Sequence, residues 1–113
     1  MSVAREARFW LAQRVSAVVL AFCVVVHLAT MIYAVRNGLT AAEILGRTRG
    51  SVAWGAFYST FVLAAAIHGA IGLRAIAGEW LGFRGDAAEI ATTVVGFVLA
   101  IAGLRAVAAV VGA

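Results

Sequence analysis

The stretch from Val52 to Ala77, VAWGAFYSTFVLAAAIHGAIGLRAIA, carries one cation, Arg74, near its end and one imidazole, His68, well inside it. A run of this length exceeds the ~20 apolar residues that cross a bilayer core of ~30 Å. Backbone groups in lipid must be satisfied within the segment, which makes the run a helix. Two further runs of the same kind lie on either side, from Phe9 to Ala34 and from Ala87 to Gly112, each of about 24 to 26 residues and long enough to span with some tilt. The chain has no proline, in keeping with uninterrupted helices. The expected architecture is all-α and integral to the membrane. Three transmembrane helices, at about 9–35, 52–77 and 87–112, form one domain over residues 1–113, part of a larger bundle.

Composition agrees. The 113 residues are 65% hydrophobic, and mean hydropathy is +1.04. Charged residues make up 12%, half the ~25% of soluble domains. A fold this small buries too little of its surface to hide so much apolar area from water. All nine basic residues are arginine, and the pI is about 10.7. They are scattered over helix ends and connections rather than gathered into a stripe, so nucleic acid is not an expected partner. Arginines flanking apolar spans serve as interfacial anchors. The single cysteine, Cys23, lies within the first span and reads as a small buried side chain. The first span is longer than a signal-peptide core and is expected to be retained. No phosphate loop, cysteine pair or Ser/His/Asp arrangement supports nucleotide binding or hydrolysis.

The connections carry helix punctuation. Asn37-Gly38 marks a left-handed stop after the first span. Thr40-Ala41-Ala42-Glu43 reads as a capping box that starts a short surface helix from Ala41 to about Gly46. Asp86-Ala87-Ala88-Glu89 repeats the start signal, with Asp86 as N-cap and the third span beginning near Ala87. Five arginines (Arg5, Arg8, Arg14, Arg74, Arg84) fall on the side of the N-terminus against four (Arg36, Arg47, Arg49, Arg105) on the other. This bias places the N-terminus in the cytoplasm.

Both histidines, His27 and His68, lie within apolar spans, where an ionisable group is a functional candidate by default. Neutral imidazole is an axial ligand for haem iron; the competing role is a hydrogen bond across helices. Counting from Phe9, His27 is 18 residues in, or about 27 Å at the helical rise. His68 is nine residues before Ala77, about 14 Å from the same side. An offset of around 10 Å along the membrane normal, by the same rise, makes the two a poor pair for one iron. Either His68 pairs with a histidine from another subunit and His27 is structural, or each ligates its own haem. Both arrangements require a second membrane subunit, because three helices are too few to enclose a porphyrin. Small residues around His68 (Ala64, Ala65, Gly69, Gly72) admit either a close helix or a flat macrocycle. Arg74 suits a haem propionate or snorkels to the headgroups. Arg14, one turn into the first span beside Gln13 and Ser16, suits a quinone carbonyl or likewise snorkels.

QRVSA, Gln13 to Ala17, followed by HGAIGLR, His68 to Arg74, in the second of three spans resembles the cytochrome b membrane-anchor subunits of succinate dehydrogenase and fumarate reductase. Their first helix typically opens with H-R-V-S-G, and their second carries H-x-x-x-G-x-R with an acidic residue beyond. His68, Gly72 and Arg74 fit the second motif, and Glu79 fits the acidic position. Gln13 stands in place of the usual histidine and Ala17 in place of the glycine. Trp10 stands where ubiquinone-reducing relatives have a serine.

The resemblance implies a haem b-binding anchor of a succinate:quinone oxidoreductase in a bacterial-type cytoplasmic (inner) membrane. It implies His68 as axial ligand with a histidine of the second anchor subunit, Arg14 with Ser16 and Trp10 as the quinone site, and Arg74 beside the cofactor. His27 resembles the distal ligand of the two-haem branch, so one haem b or two are expected. An iron–sulfur subunit and a flavoprotein subunit are the implied partners, with quinone as substrate and no dicarboxylate site on this chain. A fumarate reductase anchor working in reverse, and a non-redox membrane protein with structural histidines, are the competing readings.

Overall fold

The computed structural model describes residues 2–112; Met1 and Ala113, the outermost residues of the expected domain, lie outside them. Four helices follow in order: α1 Val3–Arg36, α2 Ala41–Thr48, α3 Val52–Leu81 and α4 Asp86–Val111. Three of them, α1, α3 and α4, are long and apolar enough to cross a membrane. The all-α, three-span architecture read from the sequence is the one observed.

Helix ends depart from the apolar runs wherever capping chemistry, rather than hydropathy, sets them. α1 begins at Val3, six residues before Phe9, because the Ser2 hydroxyl accepts the Arg5 N–H at 3.2 Å. At its 34 residues, α1 is about 51 Å long, so its ends extend beyond the hydrocarbon or the helix tilts. α3 continues four residues past Ala77 to Leu81 and stops at Gly82, which takes a left-handed φ of 66°. α2 runs two residues past Gly46 to Thr48. Asp86 is not the N-cap of α4. Gly85 occupies that position and has no side chain with which to cap it, while Asp86 and Glu89 sit in the first turn, where a carboxylate complements the helix dipole.

The other punctuation holds. Leu39 N–H reaches the Ala34 carbonyl at 3.0 Å and Gly38 N–H reaches Val35 at 3.2 Å, with Gly38 at φ 60°. This two-bond closure satisfies carbonyls that the helix leaves free. Thr40 and Glu43 form the reciprocal capping box. Thr48 then donates its hydroxyl to the Val110 carbonyl at 2.8 Å, and Gly50 N–H reaches Val111 at 2.9 Å. Two free carbonyls at the end of α4 are thus paired, and α2 is moored to it.

α3 is the central helix, with α1 and α4 packed against it. Backbones approach closely where side chains are small. A Cβ on Gly96 would lie 3.0 Å from Ala70, and one on Gly103 would overlap the Val62 side chain. Gly69 faces Leu99 of α4, and Gly72 lies against the Gln13 amide of α1. The small residues around His68 therefore serve helix packing on both sides of α3. Among the described residues no large side chain is fully buried. Phe22 and Phe97 lie on the outside, where lipid or a neighbouring subunit must cover them.

Candidate functional site

One face of α1 turns toward α3, and it is the polar one. Phe9, Gln13, Ser16, Cys23, His27 and Thr30 recur at intervals of three, four and seven residues, one side of a helix. Ser16 and Cys23 are buried, at 5% and 2% exposure. On a helix apolar all round, the polar residues mark the inward face, because lipid will not solvate them.

His68 meets this face at Ser16, with Nδ1 3.5 Å from the hydroxyl oxygen. The Ser16 hydroxyl donates its own proton to the Gln13 carbonyl at 3.1 Å. That leaves its oxygen able to accept from His68 in the tautomer protonated at Nδ1. In that tautomer Nε2 keeps its lone pair. Metal-ligating histidines commonly have this arrangement, in which one ring nitrogen is held by a hydrogen bond and the other is free. Beside it, Gln13 Oε1 is buried with no hydrogen-bond partner.

His27 sits at another level. Its ring makes edge contacts with Tyr58 and Phe61, centroids 5.8 and 5.6 Å away, and its Nδ1 is buried without a hydrogen-bond partner. Ser16 and His27 are 11 residues apart on α1, about 16 Å. Phe61 and His68 are seven apart on α3, about 10 Å. The two imidazoles thus belong to two separate levels of the α1–α3 pair. His27 opens on a cavity of about 630 Å³ between α1, α2 and α3, lined by Tyr33, Arg47, Trp54 and Tyr58 among others.

The residues expected around a quinone do not gather into one site. Trp10 and Arg14, one turn apart, share an outward face, with the guanidinium 5.2 Å from the indole centroid and Trp10 62% exposed. Ser16, two residues beyond Arg14, is turned about 200° around the helix and faces His68. Arg74, expected at a propionate or among headgroups, lies over the Phe9 ring at 4.6 Å and bonds Glu89 of α4 at 3.3 Å. Arg5 holds the other oxygen of the same carboxylate at 2.8 Å. One carboxylate is thus shared between two guanidiniums. Glu79 lines a cavity of about 350 Å³ with Glu6, Arg74 and Arg84.

Among the described residues no three His, Cys, Asp or Glu side chains converge as a metal site. A metal centre at either level would take one imidazole from this chain and its remaining ligands from elsewhere. The contact between Ser16 and His68 joins the two sequence motifs and was not legible from either alone. Its signal was the three-to-four-residue recurrence of Gln13, Ser16, Cys23 and His27 on α1.

No curated protein and no solved structure matches the chain. The family model for the succinate dehydrogenase/fumarate reductase transmembrane subunit matches residues 2–108, which takes in both motifs, α1, α3 and all but the last three residues of α4. Family membership implies a complex with other succinate dehydrogenase/fumarate reductase subunits. The chain belongs to the succinate dehydrogenase/fumarate reductase transmembrane subunit family.

Proposed function

We propose that this chain is a haem b-binding anchor of a succinate:quinone oxidoreductase, lying between an iron–sulfur subunit and the membrane quinone. The observation that carries the reading is the Ser16–His68 contact, which orients the ring and leaves Nε2 available to iron. Bound there, haem supplies a one-electron carrier for electrons delivered from succinate through flavin and iron–sulfur centres in partner subunits. The second axial histidine comes from the other anchor subunit, because His27 is about 10 to 16 Å away along the helices.

His27 has the features of a ligand for a second haem on the outer side. Its Nδ1 is buried and unpartnered, and it faces a cavity. Trp10 and Arg14 form the quinone-facing surface. The indole face holds the Arg14 guanidinium by a cation–π contact, and the guanidinium N–H groups are donors for a quinone carbonyl oxygen near the interface. The N-terminus then lies on the cytoplasmic side of a bacterial inner membrane. Arg74, six residues beyond His68 on α3, is the cation assigned to a propionate carboxylate, with which a guanidinium forms charge-assisted hydrogen bonds.

The test is spectroscopic. Membranes carrying the assembled complex should show a dithionite-reduced b-type spectrum, and His68→Ala should remove it or one component of it. A purified complex with no haem would overturn the proposal. In His27→Ala, haem per flavin should fall from two to one; an unchanged ratio makes His27 a structural residue.

A further inference from the structure

We infer that Arg47, on the last turn of α2, binds the anionic carboxylate edge of the ring held at His27. The inference rests on the reading of His27 as a ligand for a second haem and adds a residue on a different helix to that site.

The cavity at His27 is walled by aliphatic and aromatic side chains, with the imidazole at one end. At the other is Arg47, whose guanidinium lies over the Tyr33 ring at 5.4 Å. Tyr33 is six residues beyond His27 on α1, so the residue beneath the cation and the imidazole residue are about 9 Å apart along the helix. An amphipathic disc with one coordinating centre and a carboxylate rim fits that polarity. His27 would hold its centre and Arg47 its carboxylate rim. Trp54 and Tyr58, stacked with centroids 5.6 Å apart, supply a flat apolar wall.

Arg47 is not spent on another partner. Among the described residues it has no ion pair, and the nearby carboxylate of Glu43 is taken up by the capping box with Thr40. Nor does it hang on a loose loop. The next residue, Thr48, fastens α2 to the Val110 carbonyl of α4. Arg47, an exposed cation that lines an apolar cavity and has no ion pair among the described residues, is matched by an anion brought in by the ligand.

The experiment is a potentiometric titration of the haems in the intact complex, with haem per flavin measured alongside. Wild type is compared with His27→Ala, Arg47→Gln, Arg47→Met (which keeps an apolar stem over Tyr33) and Arg47→Lys. Removing a positive charge beside a haem favours the ferric state. In Arg47→Gln and Arg47→Met the potential of the haem that His27→Ala removes should therefore fall, while the other stays in place and Arg47→Lys stays near wild type. Selective loss of that one haem in the neutral variants, with retention in Arg47→Lys, supports the inference equally. Two haems with unaltered potentials overturn it and assign Arg47 to lipid phosphate. Loss of both haems in the neutral variants also overturns it, because a contact confined to one level does not reach the other. One haem per flavin in wild type overturns the reading of His27 itself.

Discussion

Replacing Ser16 with alanine removes the acceptor that orients His68 while leaving the helix intact. The Ser16 hydroxyl is bonded along its own helix to the Gln13 carbonyl at 3.1 Å, so α1 keeps its backbone pairing without it. What is lost is the partner of His68 Nδ1–H. An unsatisfied buried donor costs about 1–3 kcal/mol. The 3.5 Å separation and the half-buried ring put this case at the low end, about 1 kcal/mol, which is roughly a fivefold weakening of haem retention. The assay is haem transfer from the purified, detergent-solubilised complex to an excess of a haem-scavenging protein, followed at the Soret band. Ser16→Ala should release the His68 haem several-fold faster, and Ser16→Thr, which restores a hydroxyl, should recover most of the difference. Because Ser16 faces away from Arg14, the affinity for quinone should be unchanged. Equal release rates for wild type and Ser16→Ala would refute the positioning role. Impaired quinone binding with normal haem retention would return Ser16 to the quinone site.

Two further outcomes are expected. Gly103→Ala places a methyl inside the contact zone of Val62, a β-branched side chain with one strongly preferred helical rotamer. The α3–α4 pair should lose about 1–3 kcal/mol to overpacking, seen as a lower thermal midpoint by circular dichroism, and Val62→Ala should relieve it; additive losses in the double variant would contradict the close approach. Arg14→Ala should impair quinone reduction with succinate oxidation by an artificial acceptor retained, and loss of both activities would indicate failed assembly instead.

Much of this molecule was legible in its residues, for physical reasons that can be named. Runs of more than twenty apolar residues admit only helices in lipid, so span number and order followed from hydropathy alone. Asn37-Gly38 and the Thr40–Glu43 box are local chemistry and needed no tertiary context. Asp86 misled because Gly85, free to take φ 86°, set the start of α4 one residue earlier and left the aspartate in the first turn. The depth offset between His27 and His68 also followed from counting residues, since the helical rise is constant.

Which residues meet was decided only by tertiary structure. α1, α3 and α4 are apolar on every side, so no apolar stripe in the sequence says which face turns inward. Burial of a few polar groups settles it instead. Only the packed pair α1–α3 brings Ser16 to His68 and gives Gly72 to Gln13. Likewise, Arg74 finds Glu89 across 15 residues and Arg47 finds the His27 cavity because short connections fold neighbouring helices back on each other. Composition and periodicity determine that this chain crosses the membrane three times with an imidazole at each of two depths. Tertiary packing determines what each imidazole faces.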